Sequence, residues 1–269
     1  EFGEQAGKKL FPAMHEFYRL CGIRKPEHMG WTQVELDKRK YPRGRSQVID
    51  TEFSLTEFGG ELDRYLESYE SIKRILSEVE PIIPQERKDA FFAQIKYPVF
   101  GAAAMSTKML EAQRARCIFP GSCDTNLWTR ESQLMNACAK SIKAYQEIRD
   151  LTDYYNHKLA GGKWKYSMCY NPRDLYVFYP PTLPIWLTDQ EIEKYTFPES
   201  TKSLPLKEVS KDKCIVANAC NYTKATDGVI VIQSLGHSMN AVSLPKGKTI
   251  TFDFESAWEG EANLRTAER

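Results

Sequence analysis

Apolar residues recur at three- and four-residue steps through the first 160 positions, and this repeat constrains the fold more than any other sequence feature. The first helical segment starts near residue 10 and ends before Pro26 and Gly30. The second covers residues 60–80 and ends at Pro81 and Pro84. The predicted core-facing stripes are Leu10, Phe11, Met14, Phe17, Tyr18 and Cys21 in the first helix, and Leu62, Tyr65, Leu66, Tyr69, Ile72, Ile75, Leu76 and Val79 in the second.

Two longer helical segments follow. Residues 85–117 form the third, in which Pro98 is expected to kink the helix, because proline removes an intrahelical hydrogen bond and clashes with the preceding turn. The fourth covers about 125–160 and ends at Gly161-Gly162, as a helix with a C-terminal glycine does. The apolar residues in helical step along it are Leu134, Cys138, Ile142, Tyr145, Ile148, Leu151 and Tyr155.

Four such helices joined by short breaks predict an up-and-down helical bundle over residues 1–165. The run Ala102–Ala104 in the third helix is small enough to let another helix approach closely. Some bundles hold a di-metal site, which requires glutamate three residues before a histidine. No histidine of the chain meets this requirement, and a metal site is therefore rejected for His15, His28, His157 and His237.

The composition changes after the glycine pair. Residues 166–213 are rich in Pro, Tyr, Trp and Lys and are predicted to be a connector, in which Trp186 is expected to be buried at a domain seam. Short β-like runs separated by turn signals then follow at 214–218, 228–233 and 248–254. They predict the first strands of an antiparallel β-sandwich over residues 214–269. Because three strands make a poor independent sheet, we expect this domain to be truncated here. The predicted fold class is mainly α, followed by a partial antiparallel β-sandwich.

The balance of charged residues argues against nucleic acid as a partner. The 269 residues include 37 Lys and Arg against 36 Asp and Glu, a net charge of +1. Proteins that bind nucleic acid through bulk electrostatics carry a clearer basic excess. No run approaches the ~18 apolar residues of a membrane span. Neither nucleic acid nor a membrane is therefore expected as a partner.

The seven cysteines carry no metal-binding spacing, since no Cys-x-x-Cys pair is present. The simplest interpretation is buried thiols that pack as small hydrophobic groups. A disulfide between Cys117 and Cys123 is an open alternative, because Pro120 and Gly121 can turn the chain between them. No cofactor is expected.

Residues 229–240 look like the strand and elbow of an α/β-hydrolase, in which Gly-x-Ser-x-Gly places a serine on a tight turn before a helix. Asn240 stands where the second glycine belongs, and the residues after it, which include Pro245, indicate a turn and a strand. That fold also needs a histidine after the serine, and none follows His237. A serine hydrolase with Ser238 as its nucleophile is therefore rejected.

Residues 154–173 combine aromatic and basic side chains. Trp164 and Tyr166 offer flat apolar faces on which a sugar ring can stack. The cations that can pair with a carboxylate are Lys163, Lys165 and Arg173, of which the arginine can do so with two hydrogen bonds. The composition fits a rim that faces carbohydrate or an anion, and it fits equally a helix end followed by an exposed loop.

Five stretches, in order along nearly the whole chain, carry a more specific signal. They are FYRLCGIRKPEHMGW at 17–31, DTEF at 50–53, KDAFFAQIKYPVFGAAAMSTKMLEAQRAR at 88–116, LTDYYNHKLAGGKWKYSM at 151–168 and VIVIQSLGHSMNAVSLPKGKTITFDF at 229–254. Together they resemble glycoside hydrolase family 115, the xylan α-glucuronidases. The family pattern after GGKW often reads Met-Met-Asp, whereas this chain has Ser167-Met168-Cys169, so a role of that aspartate does not carry over.

The resemblance implies a fold and a reaction. The segments correspond to the helical bundle that follows the family's catalytic barrel and to the start of its C-terminal β-sandwich. The parent enzyme is then expected to remove (4-O-methyl-)glucuronic acid from xylan by inverting hydrolysis with two carboxylates. No barrel is found here and no acidic residue sits in a matched catalytic motif, so no catalytic residue is assigned, not even among Asp50, Glu52 and Asp153. The chain alone is expected to be inactive.

The resemblance also implies partners. The expected partners are glucuronoxylan or aldouronic acids and the remainder of the same polypeptide, with a homodimer possible. A polymeric substrate implies a secreted or periplasmic parent. The interpreted substrate-binding residues are His157, Lys163, Trp164, Lys165 and Arg173, although a histidine at a helix end is also expected simply as a cap.

A second hypothesis of a different class stays open. The chain would then be a non-catalytic module that binds carbohydrate or protein through a similar bundle. The full reading frame distinguishes the two, since a barrel upstream supports the enzyme. The contact residues of such a module would be Trp164, Tyr166, Trp186 and Trp258.

Overall fold

The helical repeat of the sequence is realised in the described part of a computed structural model of the chain. The described residues are 1–29, 34–35, 46–47, 50–55, 60–118, 127–195, 217–233 and 240–255, with the backbone alone at 34–35, 46–47 and 127–130. The α-helices in these ranges are α1 (Glu4–Ile23), α2 (Glu61–Val79), α3 (Lys88–Phe91), α4 (Tyr97–Ile118), α5 (Leu127–His157) and α6 (Asp189–Tyr195). The strands are β1 (Val34–Glu35), β2 (Ser46–Gln47), β3 (Lys224–Ala225), β4 (Ile230–Gln233), β5 (Asn240–Ser243) and β6 (Ile250–Thr251).

The first two helices bury the apolar stripes that pair them. The predicted stripe of α2 is confirmed, with Ile75 half-buried at its edge. The stripe of α1 runs along Ala6, Leu10, Ala13, Phe17 and Leu20. The prediction that Phe11 and Tyr18 belong to it was wrong, since they are 76% and 66% exposed. Each follows a buried residue by one position, which turns it about 100° away from the core.

The interruption expected at Pro98 takes the form of a π-helical turn. Helix α3 runs directly into this turn, Phe92–Lys96, which passes into α4. Proline at the second position of α4 has no N–H and crowds the carbonyl of Gln94, four residues before it. A wider turn at that point relieves the crowding while the helix continues.

Helix α4 packs against both α2 and α5 and is buried on most sides. Ala103 and Ala104 are buried, which agrees with the close helix approach predicted for the alanine run. The core has two clusters. The larger joins α1, α2 and the part of α4 from Val99 to Leu110. The smaller lies where Leu187, just before α6, and Ile192, on α6, pack against α5. The predicted connector thus contains a helix that belongs to the bundle's packing.

Residues 217–233 and 240–255, here termed the β region, contain two antiparallel strand pairs in their described part, β3 with β6 and β4 with β5. In the second pair Ile230 lies opposite Ser243 and Gln233 opposite Asn240. Strands β4 and β6 lie in two of the predicted β-runs, whereas the described part of the third, 217–218, is not a strand. The mainly helical fold class with a small antiparallel region is confirmed. The domain boundaries stay predictions, because 196–216 and 256–269 lie outside the described residues.

Two paired antiparallel strands flank the place of the rejected hydrolase elbow. Strand β4 is followed by antiparallel strand β5, where that motif requires a helix. Ser238 and His237 lie outside the described residues. Among the helices that the structure describes, none is both long and apolar enough to cross a lipid bilayer.

Two interpretations of single residues were wrong. Trp186 is exposed and not buried at a seam. Cys138 is a buried thiol, as expected, but Cys117 and Cys169 are exposed. Cys117 is a free thiol in this structure, and its proposed disulfide partner Cys123 lies outside the described residues, as does Trp258.

Candidate functional site

The predicted aromatic and basic residues lie at the carboxyl end of α5. The helix ends at His157, and the backbone then passes through a short 3-10 turn, Leu159–Gly162. Residues 158–168, here termed the α5 loop, include positive φ angles of 49° at Ala160, 67° at Gly161 and 82° at Gly162. Left-handed backbone of this kind ends the helix and reverses the chain direction. The loop therefore projects from the helix end and does not extend it.

Two aromatic rings of the loop face solvent. The Trp164 side chain is 41% exposed and that of Tyr166 is 82% exposed. The Lys163 ammonium lies 5.2 Å from the Trp164 ring centroid, and the Lys165 ammonium lies 5.1 Å from that of Tyr166. Both distances are within cation–π range. The loop thus presents two apolar faces, each with a positive charge beside it.

The other two predicted residues lie at the margins of the loop. His157 is exposed in the last turn of α5. Arg173 is exposed in a 3-10 turn, Pro172–Asp174, where its φ is 55°. Within the described residues, no hydrogen bond, ion pair or cation–π contact joins His157 or Arg173 to Lys163, Trp164 or Lys165. The structure therefore places Lys163, Trp164 and Lys165 in one exposed stretch of the loop, with His157 before it and Arg173 after it.

Aromatic packing holds the end of α5 that carries the loop. The Phe92 ring of the π-helical turn lies 4.5 Å from the ring of Tyr154, centroid to centroid, and Tyr97 lies 4.9 Å from Tyr155. The Tyr97 hydroxyl is 3.5 Å from that of Thr152, and burial raises the pKa of Tyr97. The turn that relieves Pro98 thus supplies the surface on which the end of α5 rests.

Two exposed carboxylates beside the loop are held by tyrosines. The Tyr170 hydroxyl donates to Asp153, and the Arg149 guanidinium lies 4.8 Å from the Tyr170 ring centroid. The Tyr179 hydroxyl donates to Asp174. Each carboxylate raises the pKa of its tyrosine, because the hydrogen bond and the negative charge favour the protonated phenol.

The other acidic residues named from the sequence also have partners. Arg116 donates to Asp50 at 2.9 Å through Nε, and Arg24 lies 3.6 Å from Glu52. These ion pairs are structural in character, since they fix segment 50–55 to α4 and to the end of α1. Among the described residues, no group of three His, Cys, Asp or Glu side chains is arranged to hold a metal ion.

The buried Lys108 and the half-buried Arg116 of α4 hold the segment that follows the loop. Lys108 is 1% exposed, and its ammonium donates to the carbonyls of Val177 and, at 3.0 Å, Tyr179. Arg116 donates to the carbonyl of Thr182 at 2.5 Å. Burial lowers the pKa of Lys108 to about 7. Residues 177–182 are therefore held against α4 by hydrogen bonds that the Lys108 and Arg116 side chains donate to their main-chain carbonyls.

A third anchor of α4 was also not predicted from the sequence. The Gln113 amide accepts from the Thr51 N–H at 2.7 Å and donates to the Phe53 carbonyl at 3.0 Å, both buried. Helical spacing marks an apolar face, whereas Lys108, Glu111 and Gln113 are polar residues inside a helix that is buried on most sides. Because polar residues also surround them in the sequence (Ser106, Thr107, Arg114 and Arg116), no local pattern marks these three as buried.

Comparison with known proteins adds to this geometry. No family model matches the chain, and no curated protein matches it. A solved structure does match, that of BtGH115A, described as a novel family GH115 4-O-methyl-α-glucuronidase with specificity for decorated arabinogalactans. The resemblance to glycoside hydrolase family 115 is confirmed.

The match covers most of this chain and little of the other. It has 28% sequence identity and a TM-score of 0.53 over 93% of this chain. This chain spans 27% of the length of the BtGH115A structure. The similarity therefore covers nearly the whole of this chain, and most of the BtGH115A structure has no counterpart in these 269 residues.

Proposed function

We propose that this chain is part of an α-glucuronidase of the family-115 type and acts as an accessory to a catalytic barrel in the same polypeptide. The support is the match to a 4-O-methyl-α-glucuronidase over 93% of this chain, with this chain spanning 27% of that structure. Its contribution would be the helical bundle and the α5 loop, which would lie at the mouth of the active site.

The observation that carries the role of the loop is the pairing of each exposed ring with an ammonium. A uronic acid has apolar C–H groups on its ring faces and a carboxylate at its edge. Trp164 and Tyr166 suit the first, and Lys163 and Lys165, at 5.2 and 5.1 Å from the ring centroids, suit the second. In this proposal Arg173 supplies further positive charge at the rim, and the exposed His157 imidazole supplies a further hydrogen-bonding group.

The reaction would be inverting hydrolysis of the bond between glucuronic acid and the polysaccharide chain. Such hydrolysis needs one carboxylic acid to protonate the leaving oxygen and one carboxylate to activate water. Asp50 and Glu52 are paired with arginines, and Asp153 accepts from a tyrosine. Those partnerships support leaving all three out of the catalytic pair, so the chain alone is expected to be inactive.

The substrate class is a polysaccharide with a neutral backbone that carries (4-O-methyl-)glucuronic acid side groups. The sequence resemblance indicates xylan, whereas BtGH115A has specificity for decorated arabinogalactans. In this proposal the α5 loop contacts the terminal uronic acid, which either polysaccharide can present. A substrate of this size supports a secreted or periplasmic parent, and a homodimer stays part of the proposal.

The test is release of uronic acid by the natural polypeptide and by these 269 residues alone. We expect the natural polypeptide to release (4-O-methyl-)glucuronic acid from glucuronoxylan or decorated arabinogalactan, and the isolated chain to release none. Turnover by the isolated chain close to that of the natural polypeptide would contradict the accessory role. Lys163→Met in the natural polypeptide should raise KM about tenfold at little change in kcat.

Lys158→Met is the matched control, since Lys158 is also exposed and lies in the same loop without a ring contact among the described residues. Its KM should stay within about twofold of the original value. Equal effects of the two variants would indicate general electrostatic attraction and remove the specific role of the Lys163–Trp164 pair.

Absence of uronic acid release from either polysaccharide, together with retained binding, would favour the alternative of a non-catalytic module. The exposed Trp186 is the observation that supports this alternative, since it adds an aromatic surface away from the α5 loop.

A further inference from the structure

Asn156 is a polar side chain in a buried position, one residue before the end of α5. It is 3% exposed, and a buried amide must find hydrogen-bond partners to offset the loss of water. Its Oδ1 accepts from the Met168 N–H at 2.9 Å, and its Nδ2 donates to the Met168 carbonyl at 2.9 Å. Both polar groups of one main-chain residue are therefore bound by one side chain.

These two hydrogen bonds join the ends of the α5 loop. Between them the loop is built from successive tight turns, in which Gly161, Lys163, Lys165 and Ser167 each donate to the carbonyl three residues before. Main-chain hydrogen bonds between residues three apart fix the direction of the backbone locally, but they do not connect the two ends of the loop. The Asn156 amide ties position 156 to position 168 and so closes the loop around Lys163, Trp164, Lys165 and Tyr166.

A close backbone contact restricts the loop from inside. Gly162 has φ +82°, and a Cβ placed there would lie 3.1 Å from the His157 carbonyl oxygen. Ala160 and Tyr166 also have left-handed φ angles, of 49° and 66°. Such conformations cost about 1 kcal/mol or more each and persist where the surroundings fix them. The Asn156 clamp is the contact that fixes this loop from its far end.

We propose that Asn156 is the positioning residue of the α5 loop, which holds Trp164, Tyr166 and their lysines in the arrangement that receives a uronic acid. The inference rests on the proposed function for its ligand. Asn156 is a buried residue that was not among the substrate-binding residues predicted from the sequence. A loop held in its bound arrangement loses less entropy on binding than one that must be ordered by the ligand.

The experiment compares Asn156→Ala with Asn136→Ala in the full 269-residue chain. Asn136 lies on the same helix, is half-buried, and donates to a distant carbonyl, that of Tyr195, at 2.7 Å. The probe is a xylo-oligosaccharide that carries one 4-O-methyl-glucuronic acid, titrated by calorimetry. We expect Asn156→Ala to weaken binding about tenfold and Asn136→Ala to change it less than about twofold. Similar losses for both variants would overturn the proposal.

Amide exchange of Met168 by NMR provides a readout that needs no ligand. The Met168 amide should exchange slowly in the original chain and in Asn136→Ala, and much faster in Asn156→Ala. Asn156→Asp keeps an acceptor for the Met168 N–H and should restore part of the protection. If the original chain binds no oligosaccharide, the contact with a uronic acid proposed for the α5 loop fails, whereas the accessory role is decided by uronic acid release from the natural polypeptide. The positioning role then depends on exchange alone, and an unchanged Met168 amide in Asn156→Ala overturns it.

Discussion

The helical part of the chain and the β region bury very different amounts of side chain. The helices enclose fully buried residues from α1, α2 and α4, including Leu20, Ile72 and Leu110. In the described β region, 217–233 and 240–255, no residue is buried, and all four residues of β4 are exposed. The helical part thus has its own hydrophobic core, whereas the β pairs rest on main-chain hydrogen bonds, which hold two strands only marginally in water.

Polar residues differ between the two regions in the same way. Helix α4 buries Lys108, Glu111 and Gln113, each with hydrogen-bond or charged partners. In the β region the hydroxyl of Thr226 accepts from the Thr249 N–H at 2.9 Å in an exposed position. A buried polar contact is costly to break because the remaining group is left without water. The helical part should therefore respond strongly to substitution and the β region weakly.

The largest expected effect comes from a matched pair of isoleucines. Ile72→Ala removes a fully buried side chain of α2 and should lower the free energy of unfolding by about 2–5 kcal/mol. Ile232→Ala, on the exposed strand β4, should change it by less than about 0.5 kcal/mol. Denaturant unfolding followed by circular dichroism measures both. Comparable losses would show that the β region has a core of its own.

The second-largest expected effect is a dependence of the free energy of unfolding on pH, caused by Lys108. The folded chain releases the Lys108 proton near pH 7, whereas the unfolded chain keeps it up to the ordinary lysine pKa of 10.5. The unfolded state therefore binds more protons between these values, and the free energy of unfolding rises with pH there, by at most about 1.4 kcal/mol per pH unit. Relative to Lys108→Met, the original chain should gain on the order of 3 kcal/mol between about pH 7 and 9.5.

Lys224→Met in β3 is the control for this pH dependence, since Lys224 is exposed. Its difference from the original chain should be flat over the same range of pH. A flat difference for Lys108→Met as well would mean that the buried ammonium keeps its proton through the folded state, stabilised by the Val177 and Tyr179 carbonyls.

A pair of glutamines tests, with a smaller expected effect, whether buried polar contacts of the helices stabilise the chain more than exposed ones of the β region. Gln113→Ala leaves buried main-chain groups of Thr51 and Phe53 without their partner and should cost about 1–3 kcal/mol. Gln233→Ala, at the exposed end of β4, should cost less than about 0.5 kcal/mol. Thermal unfolding gives both values. If the two variants lose the same stability, the Gln113 clamp is replaced by water at no cost.

The smallest effect compares two glycines with left-handed φ. Gly162→Ala and Gly247→Ala both place alanine in strained backbone, at φ +82° and +80°. At Gly162 the new Cβ would in addition lie 3.1 Å from the His157 carbonyl oxygen, whereas Gly247 faces open space. We expect Gly162→Ala to cost about 1 kcal/mol more than Gly247→Ala. Equal costs in thermal unfolding would mean that the loop backbone shifts freely.

Sequence patterns predicted the features that depend on local spacing. The stripe of α2, the interruption before Pro98 and the end of α5 shortly before the glycine pair all follow from the period of a helix or from backbone chemistry. The resemblance to glycoside hydrolase family 115 was carried by stretches of residues in a fixed order, such as LTDYYNHKLAGGKWKYSM. These signals need no knowledge of what packs against them.

The features that were missed depend on contacts distant in sequence. Phe11 and Tyr18 are exposed because the neighbouring helix covers the adjacent stripe only. Strand β5 consists of Asn, Ala, Val and Ser, of which only Val has a clear strand preference, and its pairing with β4 defines it. Asn156 bonds a residue twelve positions later, and no helical or strand period marks such a pair.

The most direct test of the account is a titration of the chain with the uronic-acid-bearing xylo-oligosaccharide and with the same oligosaccharide lacking the uronic acid. Trp164→Ala is compared with Trp186→Ala, since both tryptophans are exposed and only Trp164 lies in the α5 loop. The account predicts binding of the acidic sugar alone, weakened about tenfold by Trp164→Ala and unchanged by Trp186→Ala. Equal binding of both sugars, or equal loss in both variants, would contradict it.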